Sequence, residues 1–321
     1  MSSPTLPSIE DLGALDGVAL FVRVDFNVPL ENGRVADDAR LEAALPTLRE
    51  LAEAGARLVL GSHCGRPGGE RRMEYSLQPV ARRLGELLDR PVGFADVAVG
   101  EPAQEAVARL EPGGICLLEN LRFYPGETAN DPRFARQLAE PVDGFVCDAF
   151  GTVHRAHASV VGLPAVLPRR AAGRLLMREV DALSRLLGEP DEPFVAIVGG
   201  AKVSGKIEAM RNLLPRLDML ALGGGMANTF LAALGLETAD SMVETDHLET
   251  AREILEAAAR QKVEVVLPAD VVVTDDLEAP ERVETVAVTS IPEGTLAVDI
   301  GEGSRERIAT VVGSAGTVFW N

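Results

Sequence analysis

Phe194-Val195-Ala196-Ile197-Val198-Gly199-Gly200-Ala201-Lys202-Val203-Ser204-Gly205-Lys206 is the stretch on which the fold of this chain turns. The apolar run Phe194 to Val198 reads as a strand buried in a parallel sheet. A glycine-rich turn follows, and Ile207 to Leu214 reads as a helix start. Strand, glycine turn and helix N-terminus make an anion site, because free backbone N–H groups and the helix dipole face the same point. The lysines sharpen the reading. Only three occur among 31 basic residues, and two of them are Lys202 and Lys206. A compact ammonium on a flexible stem suits one phosphate oxygen, whereas arginine offers a wide planar fork. The segment is therefore read as handling phosphate. An ordinary strand–helix turn is the competing reading. Gly200 to Lys206 also fits the start of a P-loop, G-x-x-x-x-G-K, but Ile207 stands where Ser or Thr would hold magnesium. A P-loop NTPase is disfavoured on that ground.

Outward from this stretch, strand-like and helix-like segments alternate. Strands are expected at 18–24, 57–60, 115–118 and 144–147, with helices at 41–54, 77–88 and 133–139 between them. This is the βαβ pattern of a doubly wound parallel sheet. Residues 163–171, with Pro164 and Pro168, read as a boundary. The span 173–187 reads as one long amphipathic helix, with Leu175, Leu176, Val180, Leu183 and Leu187 on one face. The pattern restarts at Phe194, with further strands at 219–222, 263–267, 296–299 and 317–320. The fold class is thus α/β: two doubly wound domains, at 1–170 and 189–321, joined by a helix at 171–188. The chain stops at Asn321 directly after Val318-Phe319-Trp320, so the second domain reads as incomplete.

The 321 residues, 46% apolar and 25% charged, are ample for two globular cores. The net charge of −18 argues against nucleic acid or an anionic membrane as a partner. Met1 to Thr5 carry neither a basic nor an apolar leader segment, and no stretch reaches membrane-spanning length. A cytoplasmic monomer is expected. Cys64, Cys116 and Cys147 form no C-x-x-C pair and read as free buried thiols.

Polar residues gather where the first four strands end. Arg23-Val24-Asp25-Phe26-Asn27 closes the first strand, and Ser62-His63-Cys64-Gly65-Arg66 follows the second. Glu119-Asn120-Leu121-Arg122 follows the third, and Asp148 to Ser159, with His154, Arg155 and His157, follows the fourth. Ligands of α/β sheets bind at the carboxyl ends of parallel strands. That edge receives Asn27, His63, Arg66, Arg122 and Arg155. In so acidic a chain, such a cation cluster needs an anionic ligand or internal carboxylates. One residue at a time, the packing reading is favoured: Asp25 as a turn cap, Arg23 paired with a buried Asp, His154 or His157 as hydrogen-bonded packing residues. No zinc ligand spacing and no G-x-S-x-G motif occurs.

These segments resemble the phosphoglycerate kinase family. The resemblance is carried by R-V-D-F-N-V-P at 23–29, G-S-H-C-G-R-P at 61–67, L-L-E-N-L-R-F at 117–123 and D-A-F-G-T-V-H-R-A-H-A-S at 148–159. It continues with G-G-A-K-V-S-G-K at 199–206, G-G-G-M-A at 223–227, L-P-A-D-V-V-V at 267–273, D-I-G at 299–301 and V-F-W-N at 318–321. It implies two Rossmann-like domains closed by a hinge. The first would bind 3-phosphoglycerate through Asp25, Asn27, Arg40, His63, Arg66, Arg122 and Arg155. The second would bind ATP or ADP with magnesium. Reversible phosphoryl transfer to a carboxyl group, giving 1,3-bisphosphoglycerate, would follow. Arg40, Lys202 and Lys206 would be catalytic. Gly200, Lys202, Lys206, Gly224, Gly225, Val298 and Asn321 would hold the nucleotide. The chemistry fits, because a carboxylate is already ionised at neutral pH and the transfer needs only in-line positioning and charge neutralisation.

The chain departs from the family pattern in places. Gly205 stands where Asp is frequent and Glu302 where Pro is usual. The later family motifs, including the magnesium-linked Asp, lie beyond Asn321, so no metal ligand is assigned. The expectation is that this chain binds 3-phosphoglycerate but binds nucleotide weakly and turns over poorly. The alternative is a non-catalytic phosphoglycerate-binding protein or fragment.

Overall fold

The computed structural model describes residues 6–321; the leader reading of Met1 to Thr5 lies outside the described residues. The chain divides into two compact units, with the division between Ser184 and Arg185.

The first unit is built on six parallel strands in the order Gly93–Ala95, Ile115–Leu118, Arg57–Gly61, Ala19–Val24, Gly144–Asp148, Arg169–Ala172. Ala19–Val24 is central, and every one of its residues is buried. Side chains alternate across a strand, so a central parallel strand must be apolar on both faces. Leu20, Val22 and Val24 join Leu58 and Leu60 in one core layer. Ala19 and Phe21 join Val59 and Phe145 in the other. Arg23 breaks the apolar run and is fully buried. The chain leaves the central strand toward Arg57–Gly61 on one side and returns to Gly144–Asp148 on the other. That is the topological switch point at which such sheets bind ligands.

Two strands of this sheet escaped the sequence reading. Gly93–Ala95 is too short and too glycine-rich to announce itself. Arg169–Ala172 lies inside the stretch read as a boundary; it pairs with Gly144–Asp148 as an edge strand, where its arginines stay exposed. The long helix runs Arg174–Leu187. Leu176 is its one buried residue, and Leu187 is 69% exposed, so the expected apolar face is only partly covered.

The second unit has a parallel sheet in the order Glu264–Val266, Met219–Leu222, Phe194–Val198, Thr317–Trp320. It also has an antiparallel sheet, Val283–Ala287, Asp270–Thr274, Leu296–Ile300. Leu296–Ile300 therefore belongs to the small antiparallel sheet and not to the parallel one. Ala297 is its one buried residue, and Val298 and Asp299 are both exposed, as suits a small sheet at the surface. No helix of the described residues is long and apolar enough to cross a membrane. The three cysteines are free and buried. Burial raises the Cys64 and Cys116 thiols to about 11, which keeps them inert.

Candidate functional site

At the carboxyl edge of the first sheet, the four loops meet in two hollows. Arg66, Arg122 and Arg155 line a cavity of about 470 Å³ together with Gly68, Gly69, Thr128 and His157. Asp25 and Arg40 line a second hollow of about 360 Å³, whose wall includes Asp148, Phe150 and Gly151. The Arg40 guanidinium bonds the Asp25 carboxylate.

Asn27 and His63 line neither hollow. The Asn27 Oδ1 accepts the Gly65 amide at 2.9 Å and so brackets the loop that carries Arg66. Gly65 has φ +62°, and a Cβ there would stand 2.3 Å from the Tyr75 ring, so only glycine fits that turn. The Gly65 carbonyl in turn accepts Arg122 Nη1 at 2.7 Å. His63 is 3% exposed. Its Nδ1 lies 3.2 Å from Arg23 Nη2 and 3.8 Å from Asp25 Oδ1. A guanidinium can only donate, so the nearer contact makes Nδ1 an acceptor and puts the proton of the neutral ring on Nε2. Burial, then the positive charge of Arg23, Arg122 and Arg155, push His63 down to about 2. It is a neutral donor at physiological pH.

Arg23 was expected to pair with a buried Asp. Instead its Nε donates to Ser159 Oγ at 2.8 Å, and Nη1 donates to the Val24 and Gly61 carbonyls at the strand ends. Glu119 and Asn120, flagged with the cluster, are scaffold. The Glu119 carboxylate accepts from Ser76 Oγ at 2.8 Å and Leu77 N at 2.9 Å, and the Asn120 amide donates to the Cys64 and Tyr75 carbonyls. Sequence reasoning passed over Glu127. It is fully buried, accepts both the amide and the hydroxyl of Ser159, and lies 3.7 Å from His157 Nδ1. A lone Glu in a Pro-Gly-Glu-Thr turn gives no periodic or motif signal.

In the second unit, the glycine turns after two neighbouring strands touch. Met226 N donates to the Gly200 carbonyl at 2.8 Å. Gly224 has φ +65°, and a Cβ there would stand 2.9 Å from the Gly200 backbone. Any side chain would therefore drive the two turns apart. Lys206 bonds the Asn321 side chain, and Gly199 N donates to the Asn321 carbonyl at 2.9 Å. Lys202 is exposed. Val298 is 38% exposed and lies on the antiparallel sheet. Ser204, between the lysines, is held by Glu244 through its amide at 3.0 Å and its hydroxyl at 2.7 Å. The helix Ile207–Leu213 has only seven residues, so its dipole adds less than the sequence reading assumed. No group of three or more metal-ligating side chains occurs among the described residues.

The family model described as phosphoglycerate kinase matches residues 9–321. A phosphoglycerate kinase of Desulforudis audaxviator is 53% identical over 306 residues, covering 95% of this chain and 77% of that protein. One of Moorella thermoacetica is 49% identical over 321 residues, covering 100% of this chain and 80% of that protein. The solved phosphoglycerate kinase of Coxiella burnetii superposes with a TM-score of 0.81 at 40% identity, over 99% of this chain and 80% of that one. That of Pyrococcus horikoshii OT3 gives 0.85 at 30% identity, over 98% of this chain and 80% of that one. Agreement of this depth, spanning every loop just described, makes the chain a member of the phosphoglycerate kinase family.

Proposed function

We propose that this protein carries out the reversible transfer of a phosphoryl group between ATP and the carboxylate of 3-phosphoglycerate, the step shared by glycolysis and gluconeogenesis. The observation that carries the reading is the convergence of Arg66, Arg122 and Arg155 on one cavity in a chain of net charge −18. Three guanidinium groups without a facing carboxylate on that wall suit a phosphorylated acid.

In this reading Arg66, Arg122 and Arg155 hold the phosphate of 3-phosphoglycerate. Neutral His63 donates through Nε2, while Asp25 and Asn27 fix the loops. Arg40 meets the carboxylate and the transferring group. Lys202 and Lys206 neutralise charge on the nucleotide phosphates. The glycines at 200, 224 and 225 let backbone approach the nucleotide, with Val298 and Asn321 at the edges of its pocket. Magnesium supplies charge neutralisation to the nucleotide when bound, and no side chain of this chain is assigned to it. A carboxylate acceptor needs no general base, so the chain's own contribution is orientation and electrostatics.

A coupled assay of ATP-dependent 3-phosphoglycerate phosphorylation on the 321-residue chain, with Lys206→Ala beside it, tests this. Transfer reduced by about 100-fold or more in the variant supports the reading. Equal rates in both proteins sink the role of the lysine. Phosphoglycerate binding without transfer would favour the non-catalytic alternative, and the expectation of weak turnover is judged by the same rates.

A further inference from the structure

Glu127 sits in a four-residue helix, Pro125–Thr128, beside the arginine cavity that Thr128 lines. Its carboxylate is fully buried. A buried carboxylate is tolerated only when bonded and paired, and this one has found unusual partners. Oε2 accepts the Ser159 amide at 2.9 Å, and Oε1 accepts the Ser159 hydroxyl at 2.6 Å. The imidazole of His157, which lines the cavity, lies 3.7 Å from Oε1. The Ser159 oxygen itself accepts Arg23 Nε at 2.8 Å. Because a guanidinium only donates, the one hydroxyl proton of Ser159 is committed to Glu127. The chain of bonds runs one way, from Arg23 through Ser159 to Glu127.

We propose that Glu127 is a positioning residue of the arginine cavity, setting through Ser159 and His157 the orientation in which Arg23, His63 and the cavity wall receive a phosphorylated acid. This rests on the reading of that cavity as the phosphoglycerate site. Arg23 also reaches His63 Nδ1, so the same chain fixes that ring, which the proposed function reads as a neutral donor.

Charge alone predicts the opposite outcome to positioning. Glu127 opposes the mutual repulsion of Arg23, Arg122 and Arg155. Removing its charge would therefore strengthen attraction for any anion. Releasing Ser159 and His157 would weaken binding of the ligand whose shape the cavity fits. A glutamine keeps the size but offers one acceptor oxygen where Ser159 presents two donors, so one bond is lost.

The test is calorimetric titration of the 321-residue protein with 3-phosphoglycerate and, separately, with inorganic phosphate. Wild type, Glu127→Gln and Ser159→Ala are compared, with thermal unfolding of each. Both variants are expected to lose about tenfold in affinity for 3-phosphoglycerate, with a smaller change for inorganic phosphate. Equal or tighter binding of 3-phosphoglycerate by folded Glu127→Gln overturns the inference, as does loss of stability with the ratio of the two affinities unchanged. If Glu127→Gln does not fold, Ser159→Ala decides, since it keeps the carboxylate; binding within about twofold of wild type sinks the proposal. Wild type that binds no 3-phosphoglycerate removes the functional reading itself, and this inference with it.

Discussion

In the first unit, the three cavity arginines stand on a fully buried layer in which Arg23, Ser159, Glu127 and His63 bond one another. In the second, Lys202 is exposed, Lys206 reaches one asparagine, and the loop between them is tied by a single carboxylate, Glu244. The first arrangement fixes its buried layer, and Arg122 through the Gly65 carbonyl, before any ligand arrives. The second leaves two flexible ammonium groups to be placed by whatever phosphate they meet. A preorganised site spends less of its binding energy on ordering side chains. A flexible side chain suits a group that must follow charge as it moves between two oxygens. The two kinds of cation divide by place: arginine around the cavity beside the buried layer, lysine on the glycine-rich loop.

The comparison breaks most visibly at Arg23. Arg23→Met leaves Ser159, His63 and two strand-end carbonyls without their donor, and a loss of about 3–5 kcal/mol of stability is expected in urea unfolding. Lys206→Ala should change stability by no more than about 0.5 kcal/mol. Equal stabilities for the two variants would mean that the buried layer contributes no more than an exposed loop.

Acid sharpens the contrast. His63 carries a folded value pushed below its ordinary 6.5, so the unfolded chain binds the extra proton. Stability is then complete above about pH 6.5 and falls as pH drops below it, by about 2 kcal/mol at pH 5. His157 is shifted the same way, by burial, and adds to the slope. His63→Gln should flatten the pH dependence of unfolding between pH 6.5 and 5. An unchanged slope would show that the ring is not held neutral.

The smallest effect is expected at Ser204. Ser204→Ala frees one of the two bonds to Glu244 and should weaken nucleotide binding by about threefold, with the melting temperature unmoved. A larger loss would mean that the lysine loop is as firmly built as the arginine cavity.

Much of this was legible in residue order. The apolar runs at Ala19–Val24, Ile115–Leu118 and Phe194–Val198 gave strands because a parallel sheet buries both faces. The cation-bearing loops were readable because each directly follows such a run. Of the antiparallel sheet, Leu296–Ile300 was legible as a strand though not its partners, and Val283–Ala287 was hidden because it alternates in exposure and contains no apolar run. Arg169–Ala172 was hidden by its charges, which an edge strand tolerates on its open side.

Periodicity and motif are local properties of the chain, and they carry the α/β class, the two-unit plan, the family and the loops that bear cations. That Arg66, Arg122 and Arg155 share one cavity, which Asn27 and His63 do not line, emerges only on folding. So do the neutral state of His63 and the burial of Glu127 beside the cavity-lining Thr128. Those are facts of burial and of contacts 30 to 140 residues apart along the chain, roughly speaking, and no local pattern of residues records them.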